Sequence, residues 1–373
     1  MIRPPIEAVI DLDAFGANVT HLRATVGPAR LMVVVKADAY GHGRVPITRE
    51  AVRRGIRDIG ALDLESAIAL RESGLADDVA ILAWLHQPGA DFAAGIRAHI
   101  DLGVSSPAEL EAIATASARL AQTEGHAFVA PRLHLKLDTG LHRNGATAEV
   151  WPQLVTAAVD AERAGLVRVH AAWTHIAEAS EEEDTLALER FLAGVAVARE
   201  LGADIRLRHL AASSAGLRRA DVRLDLVRMG GHCWGIPSFD GVTPADIGLV
   251  PVMTLHAQVL GVRTTETGSA SLYVGAGYGD GLPRRLAGRV AVAVRGVRFA
   301  VVAVERDHLE LTASKDDVRA LGIATGDDAV LFGTGAEGEQ TVRQWGDLTG
   351  TLGDEITTRI AARVPRRYIG GSV

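Results

Sequence analysis

Between residue 31 and about residue 235 the chain repeats one rhythm, a short apolar run followed by a longer, Ala-rich stretch with helical spacing. The runs are "LMVVV" (31–35), "RDIGAL" (57–62), "VAILAW" (79–84) and "HIDLGV" (99–104), then "RLHLKL" (132–137), "VRVHAAW" (167–173), "IRLRHLA" (205–211) and "LDLVRM" (224–229). Several are continuous rather than alternating, as strands covered on both faces tend to be. The segments between them carry helix signals. "SSPAELEAIATASARLA" sets Ser and Pro ahead of apolar positions at helical spacing, and "DLESAIALRES" and "DTLALERFLAGVAVARE" read the same way. Eight such units predict an α/β fold, a (β/α)8 TIM barrel, because a doubly wound open sheet would rarely need eight parallel strands in this length.

From about residue 246 the rhythm changes. "VMTLHAQVLGVR", "SASLYVGAG", "GRVAVAVRGVRFAVVAVERDHLELTA" and "DDAVLFG" are β-branched, alternating and broken by Gly, which predicts a mostly β C-terminal domain. "PSFDGVTPADIGLVP" has the Pro, Gly and Asp content of a boundary. The expected division is a barrel over 1–240 and a β-rich domain over 241–373.

Composition excludes several functions. A formal charge of −7 argues against a nucleic-acid binder driven by phosphate neutralisation, and Arg284–Arg285 and Arg366–Arg367 read as solvated pairs. No apolar run reaches the roughly 18 residues of a membrane span. "MIRPPIEAVIDLDAF" lacks the apolar core of a secretion signal, so a cytoplasmic location is expected. The lone Cys233 excludes an internal disulfide and reads as a small buried hydrophobe. The histidines lack the i, i+4 spacing of a zinc-binding helix, so no metal site is expected.

Catalytic groups of this fold collect just after the strands. After the first run come Lys36, Asp38, Tyr40 and His42; Lys36, closing an apolar run, reads as a buried ammonium in need of a partner. "KLDTGLHRNG" supplies Lys136, Asp138 and Arg143, "WTHIAE" supplies His175, "HLAASSAG" supplies His209 with Ser213 and Ser214, and "VRMGGHCWG" supplies Arg228 with Gly230 and Gly231. Hydroxyls and backbone N–H groups after strands seven and eight suit a phosphate monoester. A lysine opposite a phosphate site is what pyridoxal phosphate requires. His42 reads as structural, and Lys136 as either an ion-pair partner of Asp138 or a modified lysine.

With these residues in place, "VVVKADAYGHG" resembles the cofactor-binding motif of the alanine racemase family, the fold-type III pyridoxal phosphate enzymes. The likeness continues in order through "HLKLDTGLHRNG", "WTHIAEA", "HLAASSAG", "VRMGGHCWGI", "VGAGYGDGLPRRL" and "ARVPRRY". It implies a barrel plus a β-rich domain, an amino acid as small-molecule substrate and a homodimer whose sites take residues from both chains. It also implies roles. Lys36 would form the aldimine with pyridoxal 5′-phosphate and act as the base on one face. Arg228 would face the pyridine nitrogen, keeping it unprotonated. Tyr40, Ser213, Gly230 and Gly231 would hold the phosphate. Arg143 would bind near the cofactor phenolate and the substrate carboxylate, oriented by Lys136 if carbamylated. His175 would sit beside the ring and support Arg228, and Tyr278 would line the substrate entrance.

Racemisation by two bases needs an acid/base on the opposite face. In the family this is a tyrosine in a Ser-Tyr-Gly stretch between the first strands of the C-terminal domain. Here that region reads "LGVRTTETGSASLYVGAGYGDG", without Ser-Tyr-Gly, and Tyr273 lies past the expected position. Arg306–Asp307 also replaces a family Met-Asp pair. The chain therefore reads as a divergent member, a racemase or an enzyme of the same cofactor running decarboxylation, elimination or one-face proton exchange. A non-catalytic cofactor-binding protein is the remaining alternative. The losses fall on the side a partner would contribute, so a homodimer is only weakly implied.

Overall fold

The computed structural model describes residues 4–371. Contacts divide it into two compact units, one of Leu22–Lys36 with Ala51–Gly230, the other of the chain up to His21, Ala37–Glu50 and everything from Gly231 on. The first strand, β1 (Ile6–Asp11), belongs to the second unit. The first unit holds the next eight: β2 (Arg30–Val34), β3 (Asp58–Leu62), β4 (Ala80–Ala83), β5 (Asp101–Val104), β6 (Arg132–Lys136), β7 (Arg168–Trp173), β8 (Leu207–His209) and β9 (Leu226–Met229).

These eight strands are parallel and pair in chain order from β2 to β8, with β9 returning to β2. Between β8 and β9 the Asp225 N–H donates to Arg208 O and the Arg228 N–H to Ala211 O, both at 3.2 Å, which closes the barrel. Every apolar run read as a strand is one. Met32, Val34, Leu82, Ala171, Leu207 and Leu226 pack together inside, with Trp84 against them. The helices start where their caps are. Ser106 accepts from the Glu109 N–H ahead of Pro107–Glu124, and Ser180 from the Glu183 N–H ahead of Glu181–Glu200. Four acidic residues in the first turn of the latter complement its dipole.

In the second unit β10 (Met253–Thr264), β11 (Ser269–Val274), β12 (Ala291–Val294), β13 (Val297–Val304), β14 (Leu309–Ser314), β15 (Asp328–Phe332) and β16 (Arg366–Ile369) form one sheet with β1. The order is β11-β14-β13-β12-β15-β10-β1-β16, and β10 also pairs with β11, closing six strands on themselves. β1 lies antiparallel to β10 and parallel to β16. A single cut near residue 240 therefore does not follow the hydrogen bonding. Backbone pairs tie β1 to strands hundreds of residues away, and Asn18 reinforces this through its amide, which donates to Val250 O at 2.7 Å.

The segment after β2 has a rare backbone. Ala37, Asp38, Ala39 and Tyr40 all lie in the left-handed region, with φ between 51° and 55°. For residues bearing a Cβ this costs about 1–2 kcal/mol each. Local bonds offset the cost. The Gly41 N–H donates to Ala37 O at 3.0 Å and the Gly43 N–H to Asp38 O at 2.9 Å. His42, fully buried, reaches Ala39 O and Tyr40 O from Nδ1 at 2.9 and 3.0 Å. Arg366 Nε donates to Gly41 O and the Tyr368 hydroxyl to His42 O, both at 3.1 Å. Gly41 is required here: a Cβ would fall 2.2 Å from Thr357 O.

Candidate active site

The chain contains only three lysines, Lys36, Lys136 and Lys315. Two of them stand at the C-terminal ends of barrel strands. Lys36 is exposed, contrary to the buried ammonium expected at the end of its apolar run. Burial ends at Val35, and the left-handed turn starts at the next residue but one. The buried lysine is Lys136, 4% exposed, with Nζ 4.6 Å from the centre of the Trp173 ring. Burial, with Arg228 and Arg143 nearby, lowers its pKa to about 8.

The anticipated Lys136–Asp138 ion pair does not form. Asp138 instead accepts from the Gly140 N–H at 3.0 Å, and from the N–H and Nδ1 of His142 at 3.1 Å each. Its burial would raise the carboxyl pKa, but these bonds bring it below the usual value. No carboxylate lies within ion-pair distance of Lys136 among the described residues.

Arg228, on β9, is 5% exposed. Its Nη2 donates to Thr174 O at 2.9 Å, Leu210 O at 3.0 Å and His175 Nδ1 at 3.1 Å, and its Nη1 to His209 Nδ1 at 3.0 Å. Burial lowers its pKa to about 9, which leaves it charged at neutral pH. His175 is pushed down to about 2 by burial and by Arg228, Arg143, Lys136 and Lys36. It is a neutral acceptor at any working pH. Arg143 is exposed on the loop after β6.

Ser213 opens the short helix Ser213–Arg218, and its Oγ accepts from the Gly230 N–H at 3.2 Å. The loops after β8 and β9 thus meet, and Gly231 continues the second. Tyr40 and Tyr278 lie in the other unit. Tyr40 is buried against Trp234, ring centres 5.8 Å apart, and burial with Asp354 raises its pKa, so the phenol keeps its proton. Tyr278 is 47% exposed and donates its backbone N–H to Glu305 O at 2.8 Å.

Comparison with known proteins agrees with this geometry. The alanine racemase N-terminal domain matches residues 10–237 and the alanine racemase C-terminal domain residues 262–368. An alanine racemase of Beutenbergia cavernae is 38% identical, covering 98% of this chain and 98% of that protein. One from Streptomyces coelicolor is 39% identical over 97% of this chain and 95% of its own. The crystal structure of an alanine racemase from D-cycloserine-producing Streptomyces lavendulae superposes with a TM-score of 0.92, at 36% identity over 100% and 99% of the two chains. The chain belongs to the alanine racemase family.

Membership brings pyridoxal phosphate as cofactor, and the donor set fits it. Lys36, Lys136, Arg143 and Arg228 all press on His175, while Glu178 is the carboxylate that acts on Arg228. Such an excess of cations favours a dianionic phosphate and a substrate carboxylate. Sequence reasoning missed Glu178, whose Oε1 accepts from the Ala215 N–H at 2.9 Å. It also missed His134, two residues before Lys136 on β6. That polar i, i+2 pair within a buried strand was a readable signal.

Proposed function

We propose that this alanine racemase-family chain acts at the α-carbon of an amino acid, with Lys36 as the residue that carries the proton. The observation that supports it most is the cationic cluster at the barrel mouth, where the exposed Lys36 acts on a neutral His175 and a buried Arg228 donates from both terminal nitrogens. Bound pyridoxal phosphate supplies an electron sink for the substrate α-carbon. Lys36 takes and returns the α-proton at Nζ. Arg228 holds a fixed positive charge against the ring nitrogen. Arg143 binds the substrate carboxylate, with Lys136 behind it. Ser213 and Gly230, joined by the bond between their loops, hold the phosphate on the barrel unit. A second copy of the chain is the partner this reading expects, tested by sedimentation.

A second reading, proton handling on one face only, has its own support. β10 passes into β11 through Thr265–Gly268, where the Thr265 N–H donates to Ser269 O at 2.9 Å. No tyrosine stands on that turn. Tyr273 lies within β11, opposite Glu310 and edge-on to His308 at 5.6 Å. The alignment with the Beutenbergia protein spans 387 positions against 373 residues here, so this chain lacks segments that its relative carries.

Incubation of the holoenzyme with L- and D-amino acids in deuterated water separates the two. Deuterated product of inverted configuration supports racemisation. Deuterium gained with retention supports a single working base, and loss of carbon dioxide or of a β-substituent supports the other one-base reactions. If no substrate exchanges its α-proton or yields product, the proposal fails.

A further inference from the structure

Beneath Arg228 the barrel interior contains a line of polar groups that no step above uses. His209 is fully buried at the end of β8, and His134 is 2% exposed in the middle of β6. Their rings meet, His209 Nε2 lying 2.9 Å from His134 Nδ1. His134 Nε2 points to Asp101 Oδ2 at 3.5 Å, and has no closer polar partner. Asp101 is the first residue of β5, 4% exposed, and its Oδ1 accepts from Arg132 Nε at 2.7 Å. Trp173 holds the His209 ring and the His134 backbone. Its ring stacks on His209 at 5.3 Å and 10°, and its Nε1 donates to His134 O at 3.0 Å.

The hydrogens on this line have one consistent arrangement. A guanidinium only donates, so His209 Nδ1 must accept from Arg228. A neutral imidazole then carries its hydrogen on Nε2, which donates to His134. His134 Nδ1 must therefore accept, and its own hydrogen sits on Nε2, facing the carboxylate. A second proton on either ring would set two donors against each other. The surrounding charges agree. His209 is held well below its usual pKa, first by burial and then by Arg228. Burial would raise Asp101, but His134 and Arg132 hold it below its ordinary value. The other charged or titratable groups facing the line are His170, 5.5 Å from the His134 ring, the Arg30–Asp58 pair at the strand starts, and Arg71, which acts on Asp101.

We propose that His209, His134 and Asp101 are positioning residues, a one-way relay down the barrel interior that fixes the Arg228 guanidinium and ties it to a carboxylate at the opposite end of the strands. At the His134–Asp101 step the separation makes the link an ion–dipole attraction rather than a close hydrogen bond. The carboxylate polarises His134, which polarises His209, which strengthens the bond that Arg228 donates. The bearing on catalysis rests on the proposed function; the tautomer assignment does not.

The test is nitrogen NMR of the full-length protein, labelled in its histidine rings and carrying its cofactor as isolated. Both rings are expected to show an unprotonated Nδ1 and a protonated Nε2 from about pH 5 to about pH 8, where a free histidine would titrate. The decisive signal is the His209 Nε2 proton. Asp101→Asn keeps an acceptor but removes the charge, and should move that proton upfield although His209 does not touch Asp101. Arg132→Gln, at the more exposed partner, should move it downfield by strengthening the carboxylate. A purely structural Asp101 would leave it in place in both variants. Reversed tautomers, a doubly protonated ring, or an unmoved His209 signal in a folded variant would overturn the proposal. Should Asp101→Asn not fold, the Arg132→Gln shift decides alone. The readout is independent of turnover, so a failure here and a failure of the proposed reaction are distinguishable.

Discussion

The barrel mouth and the Arg306–Asp307 corner of the antiparallel unit place their charges differently. In the barrel, Arg228, His209, His134, Lys136 and Asp101 are all buried within one strand cage, each held by named partners except Lys136, which lies over Trp173. The antiparallel unit buries Glu7, Glu50, Asp280, Glu339 and Arg343 of its own, but the residues at its substituted positions face water. Arg306 and Asp307 pair with side chains 74% and 57% exposed, and Tyr278 is half exposed. Buried polar groups are costly to misplace, so their geometry is over-determined. Exposed pairs contribute little and drift freely in sequence. The contrast explains why substitutions are tolerated more readily at Arg306–Asp307 than at the buried groups of the barrel.

The contrast breaks most visibly if Lys36 is dispensable. Lys36→Ala should lower α-proton exchange by roughly 10³-fold or more, the scale of a lost acid–base group. Isotope exchange followed by mass spectrometry measures it, with the fold intact by circular dichroism.

Next comes stability. Arg228→Met leaves two buried carbonyls and two imidazole nitrogens without their donor. It should cost about 3 kcal/mol or more in urea unfolding. Arg306→Ala, its exposed counterpart, should leave the unfolding midpoint unchanged. Equal losses from the two would remove the distinction between the buried and the exposed arginine.

A smaller effect is expected from pH. The folded pKa of Lys136 is lowered from 10.5 to about 8, so between these values the unfolded chain holds the extra proton. Its contribution therefore destabilises the fold fully below about 8 and is relieved as pH rises towards 10.5. Lys136→Met should remove that part of the rise, seen by comparing unfolding midpoints of the two proteins across the window.

The smallest change is at the left-handed turn. Ala37→Gly relieves a Cβ at φ 51° and should stabilise by about 0.5–1 kcal/mol, net of the entropy glycine adds to the unfolded chain. A loss of stability would mean that the turn is not strained.

Legibility followed the same divide. All eight barrel strands could be read because each is a short apolar run, several of them continuous, set between helical stretches, and the fold then dictates where catalytic groups fall. β1 and β16 were not recognised as strands. Their partners lie at the other end of the chain, so nothing local marks the pairing. The left-handed turn was invisible as well. "KADAY" contains ordinary helix formers, and its backbone is imposed by His42, Arg366 and Tyr368. The exposure of Lys36 was misjudged because an apolar run shows where a strand lies, not where the chain leaves the core. The Lys136–Asp138 pair failed because Asp138 caps its own loop.

The central claim is that Lys36, of three lysines, engages pyridoxal phosphate. Borohydride reduction of the holoenzyme followed by peptide mass mapping tests it most directly. The expected result is a pyridoxyl group on the peptide carrying Lys36, with Lys136 and Lys315 unmodified. A label on Lys136 or Lys315 instead, or none on a protein that shows no cofactor absorbance, would contradict the account.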